Sequence, residues 1–134
     1  MHLVDASAWV TLVERDSAHR EAVARLIRER AHSLGALDLT LYEVGNAIGV
    51  KQGNRDEAGR IVRLIHRCCR DRIFAVDMEL LDSALGIAAE HGLTAYDAAY
   101  VAAARRYGWN LVSTDVADLV SKGLAVTPDR ADYP

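Results

Sequence analysis

Short apolar runs alternate with longer segments of helical periodicity along this chain. The apolar runs lie at residues 3–4, 33–40, 73–77, 109–114 and 124–128. They lack the apolar–polar alternation of a strand with one exposed face, which favours strands that are buried on both sides. The pattern therefore predicts a short central sheet with both faces covered.

Apolar residues recur at helical spacing in the segments between these runs. The predicted helices cover residues 6–16, 17–32, 41–53, 54–72, 78–92, 95–108 and 115–123. Ser17 and Asn54 are candidate N-caps, and Gly53, Gly92 and Gly108 are candidate helix stops. Strands that alternate with helices pair mostly in parallel, with helices on both faces. The sequence thus predicts one α/β domain spanning residues 1–134, with a central sheet of four or five strands and a polar tail from about residue 128.

Composition places the chain among ordinary globular proteins. It has 134 residues, of which 51% are hydrophobic and 26% are charged, enough apolar side chain for one buried core. No apolar run approaches the roughly 20 residues that cross a bilayer, so we expect no membrane association. The N-terminus lacks the basic and apolar regions of a signal peptide, so we expect a cytoplasmic protein.

Several common kinds of active site are absent from the sequence. The adjacent Cys68 and Cys69 have the spacing of neither a zinc pair nor a redox motif, and we expect ordinary, partly buried thiols. The five histidines show no ligand spacing, and neither a serine-hydrolase elbow nor a phosphate-binding loop occurs. The net charge of −3 argues against binding nucleic acid by bulk charge, although a local basic face stays open.

Four carboxylates lie where predicted strands end or predicted helices begin. Asp5 ends the first strand, Glu43 and Asp97 fall in the first turns of helices, and Asp115 follows the strand at residues 109–114. Ligands of open parallel sheets bind beyond the carboxyl ends of the strands, so one edge could gather all four acids. Clustered carboxylates repel one another unless a cation is present, and oxygen ligands suit Mg²⁺ or Mn²⁺.

Each acid also has a capping role open to it. Thr40 and Thr94 precede Glu43 and Asp97 by three residues, which is the capping-box spacing. Asp5 and Asp115 could each accept the N–H groups at a helix start. For any single acid, capping is the commoner role. The set of four favours a metal site, because caps have no reason to lie together.

Four segments carry a resemblance to a known family. LVDASAWV, LTLYEVGNAI, LTAYDAAYVAAA and NLVSTDVADL, in this order and at this length, closely resemble the PIN-domain ribonucleases, most of all the VapC-type toxins of prokaryotic toxin–antitoxin pairs. The resemblance extends from Leu3 to about Val126. It implies an endoribonuclease that uses one or two Mg²⁺ or Mn²⁺ ions and leaves 5′-phosphate and 3′-hydroxyl ends. It also implies a small antitoxin as partner and a two-fold homodimer.

The resemblance assigns catalytic and metal-binding roles to four acids. They are Asp5, Glu43, Asp97 and Asp115. Asp5 and Asp97 are expected to be the strongest metal ligands. The hydroxyls of Ser7 and Ser113 would orient carboxylates or waters. Asp118 is a weaker candidate, which we expect to be a surface acid of the last short helix.

Helix 54–72 carries a stripe of arginines that could bind RNA. The stripe consists of Arg60, Arg63, Arg67 and Arg70, which recur every three to four residues. The roughly opposite face, with Ile61, Ile65 and Cys68, is predicted to pack on the sheet. The stripe could contact RNA phosphates, or it could be a solvated face that pairs with acids elsewhere, and the negative net charge favours the solvated face.

A catalytically inactive PIN fold that serves as a binding or scaffold module is the alternative function. Such modules usually lose one or more of the acids, whereas this chain keeps all four. The retained acids favour the enzyme.

Overall fold

A computed structural model describes residues 1–131 of the chain. The strands are β1 (His2–Val4), β2 (Leu34–Leu37), β3 (Ile73–Phe74) and β4 (Asn110–Val112). The α-helices are α1 (Ala6–Val10), α2 (Arg20–Arg30), α3 (Asp38–Val44), α4 (Arg55–Cys69), α5 (Met78–His91) and α6 (Ala95–Tyr107). Short 3-10 turns lie at Thr11–Val13, Ala31–Ser33 and Pro128–Arg130, and π-helical segments lie at Gly45–Lys51 and Val116–Val120. Within the described part, none of the helices has both the length and the apolar character needed to cross a membrane.

The four strands form one parallel sheet in the order β3-β2-β1-β4. β1 lies inside the sheet, where Leu3 stands opposite Gly35 of β2 and Leu111 of β4. The predicted α/β fold with a short parallel sheet is therefore confirmed.

The predicted fifth strand at residues 124–128 is wrong. Val126 alone joins the sheet there, through an isolated parallel bridge to Val112. Its N–H donates to the Leu111 carbonyl, and its own carbonyl accepts from the Ser113 N–H. Pro128, which has no N–H to donate, begins a 3-10 turn and prevents the pairing from continuing.

Helices cover both faces of the sheet, because neighbouring strand residues point to opposite sides. On one face, Leu3 and Leu111 pack in a core built with α5 and α6. On the other face, Val4 and Val112 pack in a second core with α1, α2 and α4, in which Trp9 is completely buried. This two-sided burial explains why the strands lack polar alternation.

Most of the predicted helix ends are confirmed. Asn54 caps α4 by accepting a backbone N–H of its first turn. Gly92 and Gly108 end α5 and α6 in the left-handed conformation, with φ of 66° and 68°. Ser17 is not a cap, since α2 begins only at Arg20. The Ser17 hydroxyl accepts the N–H two residues further on and so forms a local turn instead.

Helix α3 starts earlier than predicted, which changes the setting of Glu43. The strand predicted at residues 33–40 ends at Leu37, and α3 begins at Asp38. Thr40 is already inside the helix, where its hydroxyl accepts the Leu37 N–H at 3.0 Å. Glu43 therefore lies in the second turn of α3, and the capping role considered for Thr40 toward Glu43 is wrong.

Helix α4 packs on the sheet through a strict four-residue spacing. Ile61 and Ile65 are buried as predicted, but Cys69 takes the core position predicted for Cys68, which is only half-buried. Burial raises the pKa of both free thiols, that of Cys69 to about 12. Neither thiol is ionised near neutral pH, in line with ordinary core packing.

Gly35 is a position in the sheet where a side chain cannot fit. An added Cβ would lie 2.3 Å from Cζ3 of Trp109 and 3.0 Å from the Arg72 carbonyl oxygen. The Trp109 ring is fixed by an edge contact with Phe74, at 5.3 Å between ring centroids. We therefore expect Gly35→Ala to lower the free energy of unfolding by about 2 kcal/mol through overpacking.

Urea denaturation of two variants tests this prediction. Gly86→Ala on α5 is the matched control, because no atom lies within 4 Å of the Cβ it adds. Alanine inside a helix should raise the free energy of unfolding there by about 0.5–1 kcal/mol. Unfolding midpoints that shift in the same direction for both variants would contradict the packing argument.

Candidate active site

Asp5 follows β1 and lies at the carboxyl edge of the sheet. Its N–H donates to the Val112 carbonyl at 3.0 Å, which continues the pairing of β1 with β4. Its carboxylate caps α1 by accepting the Ala8 N–H at 3.1 Å, and it accepts the Ser7 hydroxyl at 2.6 Å. Only 4% of Asp5 is exposed. Asp5 is thus a helix cap and a buried acid at the sheet edge, so its capping does not exclude a second role.

Asp97, Asp115 and Asp118 form a tight group, the carboxylate cluster. One oxygen of each residue lies within 4.8 Å of the others. Asp97 stands in the first turn of α6, where the Thr94 cap accepts its N–H at 3.1 Å. Asp115 caps the last π-helical segment by accepting the Asp118 N–H at 3.0 Å. The two local caps therefore set the positions of the three carboxylates.

Asp118 is more than the surface acid that the sequence predicts. It is exposed, as predicted, but its carboxylate also completes the cluster. The sequence did contain a signal for this role. Asp118 comes three residues after Asp115, and an N-cap residue and the residue three positions later lie close together in a helix. We therefore add Asp118 to the candidate site.

Asp97 links the cluster electrostatically to the other two predicted acids. Burial raises the pKa of Asp5 to about 6, and the Asp97 charge adds to this rise, while the hydroxyls of Ser113 and Ser7 counteract it. Burial also raises the pKa of Glu43, again with a contribution from Asp97. The structure thus brings all four predicted acids into one electrostatic site, although only Asp97 and Asp115 belong to the tight cluster.

The site carries an excess of negative charge. Burial raises the pKa of Asp97, and the charges of Asp115 and Asp118 raise it further. Lys122 offsets part of this effect, but its ammonium group also donates to the His91 carbonyl at 2.8 Å. A cation would relieve the remaining repulsion.

Ser7 and Ser113 connect the buried acid to the segment that carries the cluster. Besides its bond to Asp5, the Ser7 hydroxyl accepts the Thr114 N–H at 3.1 Å and lies 3.2 Å from the Ser113 hydroxyl. Ser113 accepts the Asp115 N–H at 3.0 Å. These contacts fix β1 and β4 relative to each other just beyond their paired residues.

Glu43 is held by a residue of α6. The Tyr100 phenol donates to its carboxylate at 2.7 Å, and the same phenol lies 2.9 Å from the Thr40 hydroxyl. Burial and the Glu43 charge raise the pKa of Tyr100 well above its usual value, so the phenol keeps its proton. Sequence reasoning did not predict this contact. The available signal was the spacing of Asp97 and Tyr100, which puts both on one face of α6.

A groove opens beside Glu43 and Ser7, next to the acids. Asn46, Lys51 and Thr114 also line it, and it encloses about 380 Å³. Besides the Asn46 amide and the Lys51 ammonium group, the carboxylates of Glu14 and Glu43 line it, so Lys51 is the lining group that could contact a phosphate. The sequence pattern alone did not indicate this groove.

The acids fit a divalent ion. Two oxygens on opposite sides of one ion lie about 4.2 Å apart for Mg²⁺ and up to about 5.2 Å apart for Ca²⁺. Carboxylate oxygens within 4.8 Å of one another can therefore share one such ion, for Mg²⁺ after small rotations of the side chains. Asp97, Asp115 and Asp118 meet this condition. Asp5 adds a buried carboxylate, and no arginine or lysine is among the groups that shift its pKa. The donor set suits a hard cation better than zinc, which prefers nitrogen and sulfur ligands.

The arginine stripe faces solvent. Arg60, Arg63 and Arg67 are exposed on α4, and Arg70 is exposed just after the helix ends. Arg60 pairs with Glu57 on its own helix, and the Arg70 guanidinium donates to the Arg67 carbonyl at 3.4 Å. These local pairs are typical of a solvated helix face.

Two curated proteins of Pyrobaculum aerophilum are similar to the chain in sequence. One, named Ribonuclease VapC3, is 34% identical over 120 residues, covering 84% of this chain and 88% of that protein. The other, named Exonuclease VapC9, is 35% identical over 116 residues, covering 85% of this chain and 80% of that protein. Both similarities extend over most of the described fold.

A solved structure shares the fold. The crystal structure of VapC20 from Mycobacterium tuberculosis, described as a sarcin-ricin loop cleaving toxin, matches with a TM-score of 0.77 and covers 94% of this chain and 97% of that chain. Its sequence is 19% identical, so this likeness concerns the fold alone.

A family comparison agrees with both results. The family described as PIN domain matches residues 2–118, a range that contains every acid of the candidate site. Together with the relatives that are more than 30% identical, this match shows that the chain belongs to the PIN-domain family.

Proposed function

We propose that this protein is a divalent-metal-dependent endoribonuclease and the toxin of a toxin–antitoxin pair. The carboxylate cluster carries the proposal, because it stands at the sheet edge that also holds Asp5 and Glu43. Support for RNA as the substrate comes from the relative named Ribonuclease VapC3. The sequence contains no serine or cysteine nucleophile motif, which fits a reaction in which water attacks the phosphate directly.

In this proposal the carboxylates bind Mg²⁺ or Mn²⁺, and the hydroxyls of Ser7 and Ser113 orient the carboxylates. The ligands would come from Asp5, Glu43 and the carboxylate cluster. A bound ion of this kind lowers the pKa of a water molecule and neutralises charge that develops on the cleaved phosphate. Ser7 keeps the Asp5 carboxylate in place through its 2.6 Å hydrogen bond, and Ser113 orients the backbone at Asp115.

Water is the proposed nucleophile, which determines the products. Attack by water on the phosphodiester breaks the bond to the 3′-oxygen and leaves a 5′-phosphate and a 3′-hydroxyl. Attack by the ribose 2′-hydroxyl would leave a cyclic phosphate instead. The name of the second relative, Exonuclease VapC9, favours cleavage from the end of a nucleic acid as a second candidate activity.

The proposed partners follow from the charge of the site and from the family resemblance. An antitoxin segment with a basic side chain would relieve the repulsion at the carboxylate cluster and exclude RNA from it. RNA would lie along the groove beside Glu43, where Lys51 and Asn46 can contact it. The arginine stripe is a weaker RNA contact, because Arg60 already pairs with Glu57. The homodimer remains a proposal from resemblance, and the cytoplasm is the compartment where toxin, antitoxin and RNA would meet.

Cleavage of a circular RNA tests the proposed function. We expect the protein without antitoxin to open the circle in Mg²⁺ or Mn²⁺ and to leave it intact with a chelator. The linear product should be a substrate for RNA ligase, which requires a 5′-phosphate and a 3′-hydroxyl.

The outcomes separate the candidate activities. Degradation of linear RNA alone, with the circle intact, would favour the exonuclease. No cleavage of any RNA class with either ion would favour the inactive binding module. Cleavage that persists with the chelator would contradict the metal dependence.

A further inference from the structure

A buried chain of hydrogen bonds connects the end of β2 to Glu43. The Leu37 N–H donates to the Thr40 hydroxyl at 3.0 Å, that hydroxyl lies 2.9 Å from the Tyr100 phenol, and the phenol donates to Glu43 at 2.7 Å. Thr40 and Tyr100 are 0% and 1% exposed, whereas Glu43 is half-buried and faces the candidate site. The chain thus runs from the core to the edge of the site.

The number of hydroxyl protons determines which group donates in each of these hydrogen bonds. An ionised carboxylate can only accept, so the single phenol proton of Tyr100 points to Glu43. The phenol can then meet Thr40 only as an acceptor, which directs the Thr40 hydroxyl proton to Tyr100. Thr40 in turn accepts the Leu37 N–H, which completes its bonding. Each hydroxyl therefore has one orientation, and the dipoles of the chain reinforce one another.

Helix α6 holds Asp97 and Tyr100 on one face, three residues apart. Asp97 enters the carboxylate cluster directly. Glu43 comes from α3, where its second-turn position offers no free backbone N–H to hold its carboxylate. One rigid helix can therefore set the separation between these two acids.

We propose that Tyr100 is a positioning residue, which fixes the Glu43 carboxylate relative to Asp97 for metal binding through the ordered chain from Leu37 and Thr40. This proposal rests on the proposed metal-dependent function. Tyr100 acts only through Glu43 and contacts neither the RNA nor the ion. Its loss weakens metal binding and slows cleavage, while RNA binding in the groove is preserved.

Calorimetric titration with Mn²⁺ tests the proposal without any cleavage assay. Tyr100→Phe keeps the ring and should weaken Mn²⁺ binding by about tenfold or more, the usual cost of losing a hydrogen bond to a metal ligand. Tyr42→Phe is the matched control, because Tyr42 adjoins Glu43 in sequence but is 81% exposed, and it should bind Mn²⁺ like the wild type. In cleavage assays, Tyr100→Phe should lower kcat at fixed metal concentration and leave the KM for RNA within about twofold.

A double-mutant cycle distinguishes positioning from general stabilisation. Because Tyr100 acts through Glu43, adding Tyr100→Phe to Glu43→Gln should cause no further loss of Mn²⁺ affinity. Additive losses would overturn the proposal. Wild-type Mn²⁺ affinity in Tyr100→Phe, even with a lower melting temperature, would also overturn it, because Tyr100 would then have a structural role alone. The proposed nuclease function would be unaffected by that result.

Thr40 provides an independent test if Tyr100→Phe does not fold. Thr40→Ser keeps the hydroxyl and should bind Mn²⁺ like the wild type, whereas Thr40→Val removes the donor to the phenol and should bind it more weakly. Equal affinities in these two variants would overturn the proposal. A wild-type protein that cleaves no RNA and binds no Mn²⁺ would overturn the proposed function and this inference together.

Discussion

Asp97→Asn should reduce RNA cleavage by about a hundredfold or more and leave the fold intact. Asp97 belongs to the carboxylate cluster and its charge acts on both Asp5 and Glu43, so its loss affects every candidate ligand. Losing a residue that only supports a metal ligand costs about 10–100-fold, and a ligand should cost at least the upper end of that range. The Thr94 cap survives, because it binds the backbone N–H of residue 97.

The matched control for this variant is Asp82→Asn. Asp82 is an exposed acid on α5, outside the carboxylate cluster, and its replacement should leave cleavage unchanged. With a chelator present, Asp97→Asn should melt at the same or a higher temperature than the wild type, because repulsion with Asp115 and Asp118 is relieved. A large drop in melting temperature would identify Asp97 as a structural residue, and cleavage within about tenfold of wild type would remove it from the ligand set.

Asp5→Asn should stabilise the metal-free protein by about 2–3 kcal/mol at pH 7.5. Burial raises the pKa of Asp5 from 3.8 to about 6, and a rise of this size costs the folded state about 3 kcal/mol once the carboxylate is ionised. Asparagine avoids this cost and can still accept the Ser7 hydroxyl and the Ala8 N–H. Since Asp5 is also a candidate ligand, the same variant should lose RNA cleavage.

The stability gain from Asp5→Asn should depend on pH. Between pH 4 and pH 6 the folded state binds more protons at Asp5 than the unfolded state, so its contribution to stability falls as pH rises. The gain from Asp5→Asn should therefore shrink to about half at pH 5. Urea denaturation with a chelator at both pH values measures it, with Asp82→Asn as the reference. A gain that is independent of pH, or a loss at pH 7.5, would contradict the assignment of a buried, ionisable Asp5.

The sequence predicts those parts of the fold that depend on local patterns. Asn54, Gly92 and Gly108 end their helices because capping and left-handed turns require particular residue types at single positions. The order of strands and helices along the chain was enough to predict the parallel sheet. The fifth strand failed because a short apolar run does not reveal whether its neighbours can continue the pairing, which Pro128 prevents.

The candidate site was predictable in its acids and less so in their arrangement. Asp5 follows a strand and Asp97 lies in the first turn of a helix, so local sequence patterns were enough to predict both. The setting of Glu43 depends on Tyr100, which is 57 residues away in the chain, and no local pattern shows this contact. Asp118 was underestimated because its importance depends on where the last turn meets α6.

The central place of β1 has a consequence for protein synthesis. β1 is synthesised before its neighbour β4, and the Ser7–Ser113 contact joins residues that are 106 positions apart. Such distant pairings form late, since a long loop must close before they contribute stability. Asp5 therefore meets the carboxylate cluster only after β4 and the segment that follows it have been synthesised. Nascent chains released before β4 would lack the assembled site, so the proposed RNA cleavage would begin only in chains that extend past β4.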